Sequence, residues 1–264
     1  MSLSQWLKSL WIKFRNKRKL NVAASALDQR DDEYITFPWS KPLPSAAFVI
    51  PRATFVKDQG SIGWCGSFAF VKAIEIIMER DNSAWDIDLS ERFHYYEVRQ
   101  RNGTYPEDKG QELRDGAKVL RKIGVAPEVL CKTDPLMFNV KPSQFSYDYA
   151  KYWNNFGYSR CYSVSAIKEH LATGNPVVFG MKVNWEFLVE RDQDVNNAGS
   201  SAGGHALCAI GYDDEHSNPD GTKGAIFFVN SWGERWGDKG HAWIGYDLLN
   251  KHFIEAWAVK SPSI

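Results

Sequence analysis

The feature that most constrains the fold is a change of hydrophobic period along the chain. In the first half, apolar residues recur at helical spacing over Cys65 to Glu79, again over Ser90 to Arg101 after Asp88-Leu89, and over Glu112 to Ile123, where Gly124 ends the run. Ser90 stands where a helix cap belongs. After one more helical stretch, Ser163 to Thr173, the pattern turns to short apolar runs with strand character: Pro176 to Val183, His205 to Tyr212, Gly224 to Asn230 and His241 to Tyr246. Helices first and strands later predict an α+β fold, not an alternating parallel sheet. At 264 residues, 44% hydrophobic and 24% charged, the chain can bury one large core or two small ones. No internal repeat is evident.

Three separated motifs carry chemistry. The first is Gln59-Gly60-Ser61-Ile62-Gly63-Trp64-Cys65, which sets a thiol at the head of the first helical run. Backbone N–H groups and the dipole at a helix N-terminus favour a thiolate, and the thiolate is the nucleophile. The second and third are Gly203-Gly204-His205-Ala206-Leu207 and Asn230-Ser231-Trp232-Gly233, an imidazole and an amide that could orient it. Each has a plainer alternative. A cysteine before an apolar helix is commonly a buried core residue, a histidine at a strand start can be structural, and an asparagine can cap a turn. Together, in the order Cys, His, Asn, they fit nucleophilic acyl chemistry with a general base and its orienting partner. His94, His170, His216, His241 and His252 lack such company and are read as surface or structural; Trp236 and Trp243 are read as core.

These motifs resemble the papain-like cysteine peptidases of the papain and cathepsin type. In that family His and Asn follow the Cys by roughly 130–150 residues; here His205 lies 140 and Asn230 165 positions after Cys65. The polar stretch Asp213 to Gly224 is expected to be a lengthened hairpin loop that accounts for the excess. Ser231 to Gly240 resembles the family's tryptophan- and glycine-rich turn. The resemblance implies a two-lobed fold, a helical half and an antiparallel β-barrel half with the cleft between them. It assigns Cys65 as nucleophile, His205 as acid and base, Asn230 as its orienter and Gln59, with the Cys65 N–H, as oxyanion hole. It further implies substrate contacts at Gly110, Gln111, Gly204 and Trp232, and puts Glu75 at a family glutamate in the first helix. Departures are visible: Gly66 replaces a tryptophan beside the nucleophile, Gln111 a second cleft glycine, and Gly204 a frequent aspartate. Sliding the first motif so that Cys65 takes the place of a disulfide cysteine would leave no nucleophile; the gapless reading keeps Gln59 and Glu75 in place.

The implied function is a thiol endopeptidase acting on protein or peptide substrates with no cofactor and no nucleic acid. Acyl or peptidyl transfer on the same machinery, and a catalytically silent papain-fold binding module, remain open. Residues 1–27 hold six basic residues and no acid, leaving the remainder at −6. Leu3, Trp6, Leu7, Leu10, Trp11 and Phe14 predict a basic amphipathic helix within residues 1–22 that docks on the protein's own body, on an anionic membrane surface or on a larger assembly. Residues 23–42 are expected to be linker or a short prosegment-like extension. The peptidase domain is expected over 43–264, with a helical lobe at about 55–140 and a β-rich lobe at about 141–264. The extension as a whole could be removed on activation, thread the cleft, or serve as a tether.

The cysteines at 65, 131, 161 and 208 form no C-x-x-C pair, so no metal site is expected. Cys208 reads as a small buried residue, and a Cys131–Cys161 bridge stays open. No apolar run reaches the roughly 18 residues of a membrane span, and no secretory h-region is seen. The missing disulfide pattern resembles prokaryotic or viral relatives and favours a reducing compartment.

Overall fold

Cys65 opens the helix that the rest of the fold packs around. In the computed structural model, which describes residues 18–26, 28, 31, 42–50, 53, 55–81, 88–189 and 192–261, α1 spans Cys65–Asp81 and buries Phe68, Phe70, Val71, Ile74, Ile76 and Ile77. A helix apolar on most of its circumference belongs in a core, not on a surface. Helix α2, Glu91–Asn102, starts at Ser90, whose Oγ accepts from Phe93 N at 3.0 Å, and ends at Gly103 in the left-handed region. Helix α3, Leu113–Lys122, stops before Gly124, whose φ of 88° suits glycine. A short α4, Gln144–Ala150, follows with Ser143 as cap.

The second half is built on one antiparallel sheet. Its strands are β1 Ala46–Phe48, β2 Gly157–Cys161, β3 Val177–Val183, β4 Gly203–Ser217, β5 Lys223–Val229, β6 His241–Gly245 and β7 Phe253–Lys260. They run in the order β2-β7-β3-β4-β5-β6, with β1 added to β4. Helix α5, Val164–Ala172, lies between β2 and β3, and α6, Tyr246–His252, between β6 and β7. The hydrophobic core is continuous from α1 through α3 into β3, β4, β5 and β7. The α+β class and the two halves follow the sequence reading.

Several details differ from it. The expected loop Asp213 to Gly224 is mostly strand, because β4 continues to Ser217 and turns over Asn218–Thr222 onto β5. Cross-strand chemistry holds that polar extension: Lys223 pairs with Glu215 at 2.5 Å, and His216 stacks on Trp243 at 4.3 Å. All four cysteines are buried free thiols, so Cys131 and Cys161 are not bridged. Residues 18–22 run extended, with Asn21 in a bridge to Gly204, so the helix expected over 1–22 does not extend through them. Its residues 1–17, and the linker positions 32–41, lie outside the described residues. No described helix is long and apolar enough to cross a membrane.

Ser90 ties the second helix to the loop beyond it. Its Oγ caps α2 and donates to the carbonyl of Cys131, and the side chain is fully buried. We expect Ser90→Ala to destabilise the fold by about 1–2 kcal/mol, since it deletes a cap and strands a buried carbonyl. Urea unfolding monitored by tryptophan fluorescence should show a lower midpoint at unchanged slope.

Candidate active site

Each predicted catalytic residue is placed by a separate backbone device. Cys65 heads α1, and the turn before it is held by Asp108, which accepts from Gly63 N at 3.0 Å and from the Tyr95 hydroxyl at 2.6 Å. His205 lies on β4, paired across from Met181 of β3. Asn230 follows the last residue of β5, whose Val229 pairs with Cys208 of β4. This brings the asparagine to the imidazole: His205 Nε2 is 2.8 Å from Asn230 Oδ1. The same oxygen accepts from Ser231 N at 2.7 Å, so it acts as an acceptor and Nε2 carries the proton. His205 Nδ1 is then the basic nitrogen, and it is buried with no partner among the described residues. The Cys65 thiol is reached by the backbone N–H of Ala206, next to His205.

Trp232 covers this pair. Its ring stacks on the imidazole at 4.4 Å and 24°, and Phe187 packs edge-on against Trp232 at 5.5 Å. Its Nε1 donates to Gln59 Oε1 at 3.1 Å, and Ser231 Oγ donates to the same oxygen at 2.7 Å. With Oε1 fixed by two donors, the Gln59 amide nitrogen has a defined orientation, and one of its hydrogens goes to the Ile62 carbonyl at 3.0 Å.

The predicted cleft walls are occupied. Residues 18–26 run between Gly110–Glu112 on one side and Gly203–Gly204 on the other, with bridges from Asn21 to Gly204 and from Ala23 to Glu112. Val22 N donates to the Gly204 carbonyl at 3.1 Å. A Cβ at Gly204 would lie 2.1 Å from the Val22 carbonyl oxygen, and one at Gly110, where φ is 77°, would lie 2.6 Å from Asn21. Arg18 closes the near end, reaching Asp58 at 2.7 and 3.1 Å with its guanidinium over Trp232 at 5.1 Å. Lys19 pairs with Asp108 at 2.8 Å. Cys65, His205 and Gln59 are at most 1% exposed.

Gln111 keeps its backbone in the wall along which residues 18–26 run, while its side chain turns inward. Its side chain lies against Gly66, where a Cβ would come within 2.7 Å, and its Oε1 accepts from Ser67 Oγ at 2.6 Å. The buried glutamine therefore accounts for the glycine beside the nucleophile. Sequence reasoning missed Arg18, Asp58, Asp108 and Ser231 as parts of the site. The cluster of basic residues ahead of the cysteine motif was the only available signal for the first.

Residues 128–260 match the family model described as "Papain family cysteine protease". That span includes His205, Asn230 and Trp232 and begins after Cys65. A peptidase C1-like protein of Acanthamoeba polyphaga mimivirus is 31% identical over 210 residues, 73% of this chain and 64% of the relative, so the chain spans a little under two thirds of that relative's length. Stem bromelain of Ananas comosus is 25% identical over 210 residues, 76% of this chain and 87% of bromelain. Among solved structures, xylellain, a cysteine protease from Xylella fastidiosa, superposes with a TM-score of 0.80 at 28% identity, over 94% of this chain and 97% of that one.

Covering the cleft changes the electrostatics of the pair. Burial pushes the Cys65 thiol from 9.0 up to about 11, against opposing N–H groups of Ala206, Gly66 and its own backbone. Burial likewise pushes His205 from 6.5 down to about 3; the Asn230 bond opposes this and Arg18 adds to it. Both groups are neutral in the covered state near pH 7. Uncovering the cleft relieves part of that burial, so protonation of His205 as pH falls favours the uncovered state. Exchange of the Val22 amide, corrected for its intrinsic pH dependence, should accelerate as pH is lowered from 7 to 5. Gly204→Ala should expel residues 18–26 at any pH, seen as rapid nicking of that segment by an added protease.

Proposed function

We propose, for a chain that belongs to the papain family of cysteine proteases, that it is a thiol endopeptidase held latent by its own residues 18–26. The observation that carries this reading is the buried, partnerless Nδ1 of His205, with Nε2–H fixed on Asn230 and the Cys65 thiol alongside. In this assignment the Cys65 proton moves to Nδ1 and Sγ attacks the scissile carbonyl. The oxyanion is met by a Gln59 side-chain N–H and the Cys65 backbone N–H. His205 then gives its proton to the departing amine as the tetrahedral adduct collapses to a thioester. A water molecule, deprotonated by the same imidazole, hydrolyses the thioester and restores the thiol. Asn230 keeps the ring in the tautomer and orientation that each step needs.

The latency half of the proposal follows from access. A substrate strand cannot enter between Gly110–Glu112 and Gly203–Gly204 while residues 18–26 are bonded there. Once they leave, burial is relieved, Arg18 no longer disfavours the imidazolium, and the thiolate–imidazolium pair can form. This use of the N-terminal extension fits the expectation that residues 1 to about 42 precede the peptidase domain.

Incubation with a peptidyl vinyl sulfone, read by intact mass and peptide mapping, should label a Val22→Pro chain, which loses the N–H given to the Gly204 carbonyl but keeps the cleft wall intact, at Cys65 faster than the wild type. Cys65→Ala should take no label. Gln59→Ala in the uncovered chain should lose about 10²–10³-fold in kcat on a peptide substrate. Absence of labelling in both wild type and Val22→Pro would sink the peptidase reading.

A further inference from the structure

Beyond Ala23 the segment in the cleft ends in a buried ion cluster that the reaction does not use. Asp31 is seated between two guanidiniums, at 2.5 Å from Arg114 and 3.4 Å from Arg160, with side-chain exposures of 3%, 9% and 8%. Arg114 comes from the first turn of α3, and Arg160 from β2, where it pairs across from Trp257 of β7. The two guanidiniums lie over the Trp257 ring, at 5.9 and 5.4 Å from its centre, and Tyr162 flanks Arg160 at 5.4 Å. The buried indole thus fixes both cations in place. Arg114 also donates to the Ala26 carbonyl, while its Nε is buried with no partner among the described residues.

The carboxylate count around this cluster is uneven. Glu255, 1% exposed, accepts from Ser25 N, Ser25 Oγ and Leu113 N, and pairs with Arg160 at 3.5 Å. At the start of its own helix Arg114 is faced by Glu112; Lys118 on that helix adds a like charge, with Asp115, Asp28 and, from α2, Arg101 around Lys118. Asp31 is the one carboxylate in ion-pair contact with Arg114 among the described residues. When residues 18–26 and Asp31 leave, Arg114 loses that partner, and among the described residues Arg160 keeps Glu255 as its ion-pair partner. Removing one member of a buried charge pair leaves the other uncompensated, which is costly unless a new anion arrives.

We propose that Arg114 and Arg160 form a substrate subsite for an acidic side chain on the acyl side of the scissile bond, which Asp31 fills in the latent chain. The side follows from the chemistry. His205, under Trp232, protonates the leaving amine, so the leaving segment runs toward Trp232 and Asp58. The acyl segment runs the other way, along Gly110–Glu112 and Gly203–Gly204, to Arg114. A planar guanidinium pair backed by an aromatic ring matches a carboxylate, not an ammonium or an amide. The favoured substrates are thus peptides carrying Asp or Glu upstream of the cleaved bond.

This inference rests on the peptidase reading, and its test separates the two. Full-length chain carrying Asp31→Ala is treated with matched peptidyl vinyl sulfones that bear Asp, Asn or Lys at each upstream position in turn. The expected result is labelling of Cys65 at least about tenfold faster for Asp than for Asn at one upstream position, the ratio that 1.4 kcal/mol makes, with Lys slowest. Adding Arg160→Gln should collapse that ratio toward one. Labelling that is independent of charge at every position overturns the subsite and leaves the peptidase reading intact. A preference that survives Arg160→Gln in a folded variant also overturns it. No labelling by any probe, in this chain or in Val22→Pro, overturns both.

Discussion

The site depends on one joint between the two halves of the molecule, the pairing of residues 57–59 with 231–233. Gln59 N donates to the Ser231 carbonyl at 2.8 Å, Gly233 N to the Lys57 carbonyl at 3.1 Å, and Asp58 bridges Trp232. Gln59 Oε1 adds two side-chain bonds to the same turn. Each bond is worth only about 1 kcal/mol net, but Gln59 is fully buried, so breaking one would strand a donor or acceptor away from water. Lys57 extends the joint into the helical half, donating to Glu75, Glu91 and the Leu89 carbonyl. The start of α1 is six residues from Gln59, and Asn230 is one residue from Ser231. The joint therefore sets the thiol against the imidazole across a boundary that no helix or strand crosses.

The covering segment is held by contacts of unequal strength. Arg18 and Asp58 form a two-point ion pair, yet Asp58 is 52% exposed, and an ion pair in that setting contributes about 1 kcal/mol or less. The backbone bridges to Gly204 and Glu112 are sheet-like and local. Asp31 is different, because its partners are nearly dry and their desolvation is already spent. A segment fastened weakly at one end and firmly at the other can fray at Arg18 first, which uncovers Cys65 and His205 before the anchor is released.

The legible part of the sequence was the part governed by local rules. Ser90 read as a cap because a hydroxyl before an apolar run has a defined use, and it accepts from the N–H three residues on, as Ser163 does at the start of α5. Cys65, His205 and Asn230 read as a set because residue type, order and spacing agreed. Strands β2 and β7 did not read as strands, since Ser159, Arg160 and Glu255 sit among their apolar residues. Arg160 and Glu255 belong to the ion cluster, and only the fold shows what satisfies them. The polar run after Tyr212 looked like a loop for the same reason: its strand character comes from partners on β5 and β6, not from its own composition. Gln111 over Gly66 and Asp31 between two arginines are pairings across long stretches of chain, which no local pattern encodes.

In the proposed reading, the glycines of the cleft join latency to specificity. At Gly204 the missing side chain lets a foreign backbone approach to hydrogen-bonding distance of β4, and at Gly110 a positive φ turns the opposite wall so that it can do the same. Any extended peptide can use that opening, because backbone atoms are alike in every sequence. Discrimination has to come from where the walls end, and there the chain places two guanidiniums around a buried indole. The covering segment meets both demands, offering generic backbone at Asn21–Ala23 and a specific carboxylate at Asp31. A covalently attached occupant has a high local concentration, so it needs little affinity per contact to keep the cleft filled. Its replacement by a substrate in solution, whose backbone runs the opposite way between the same walls, must then recover what attachment supplied.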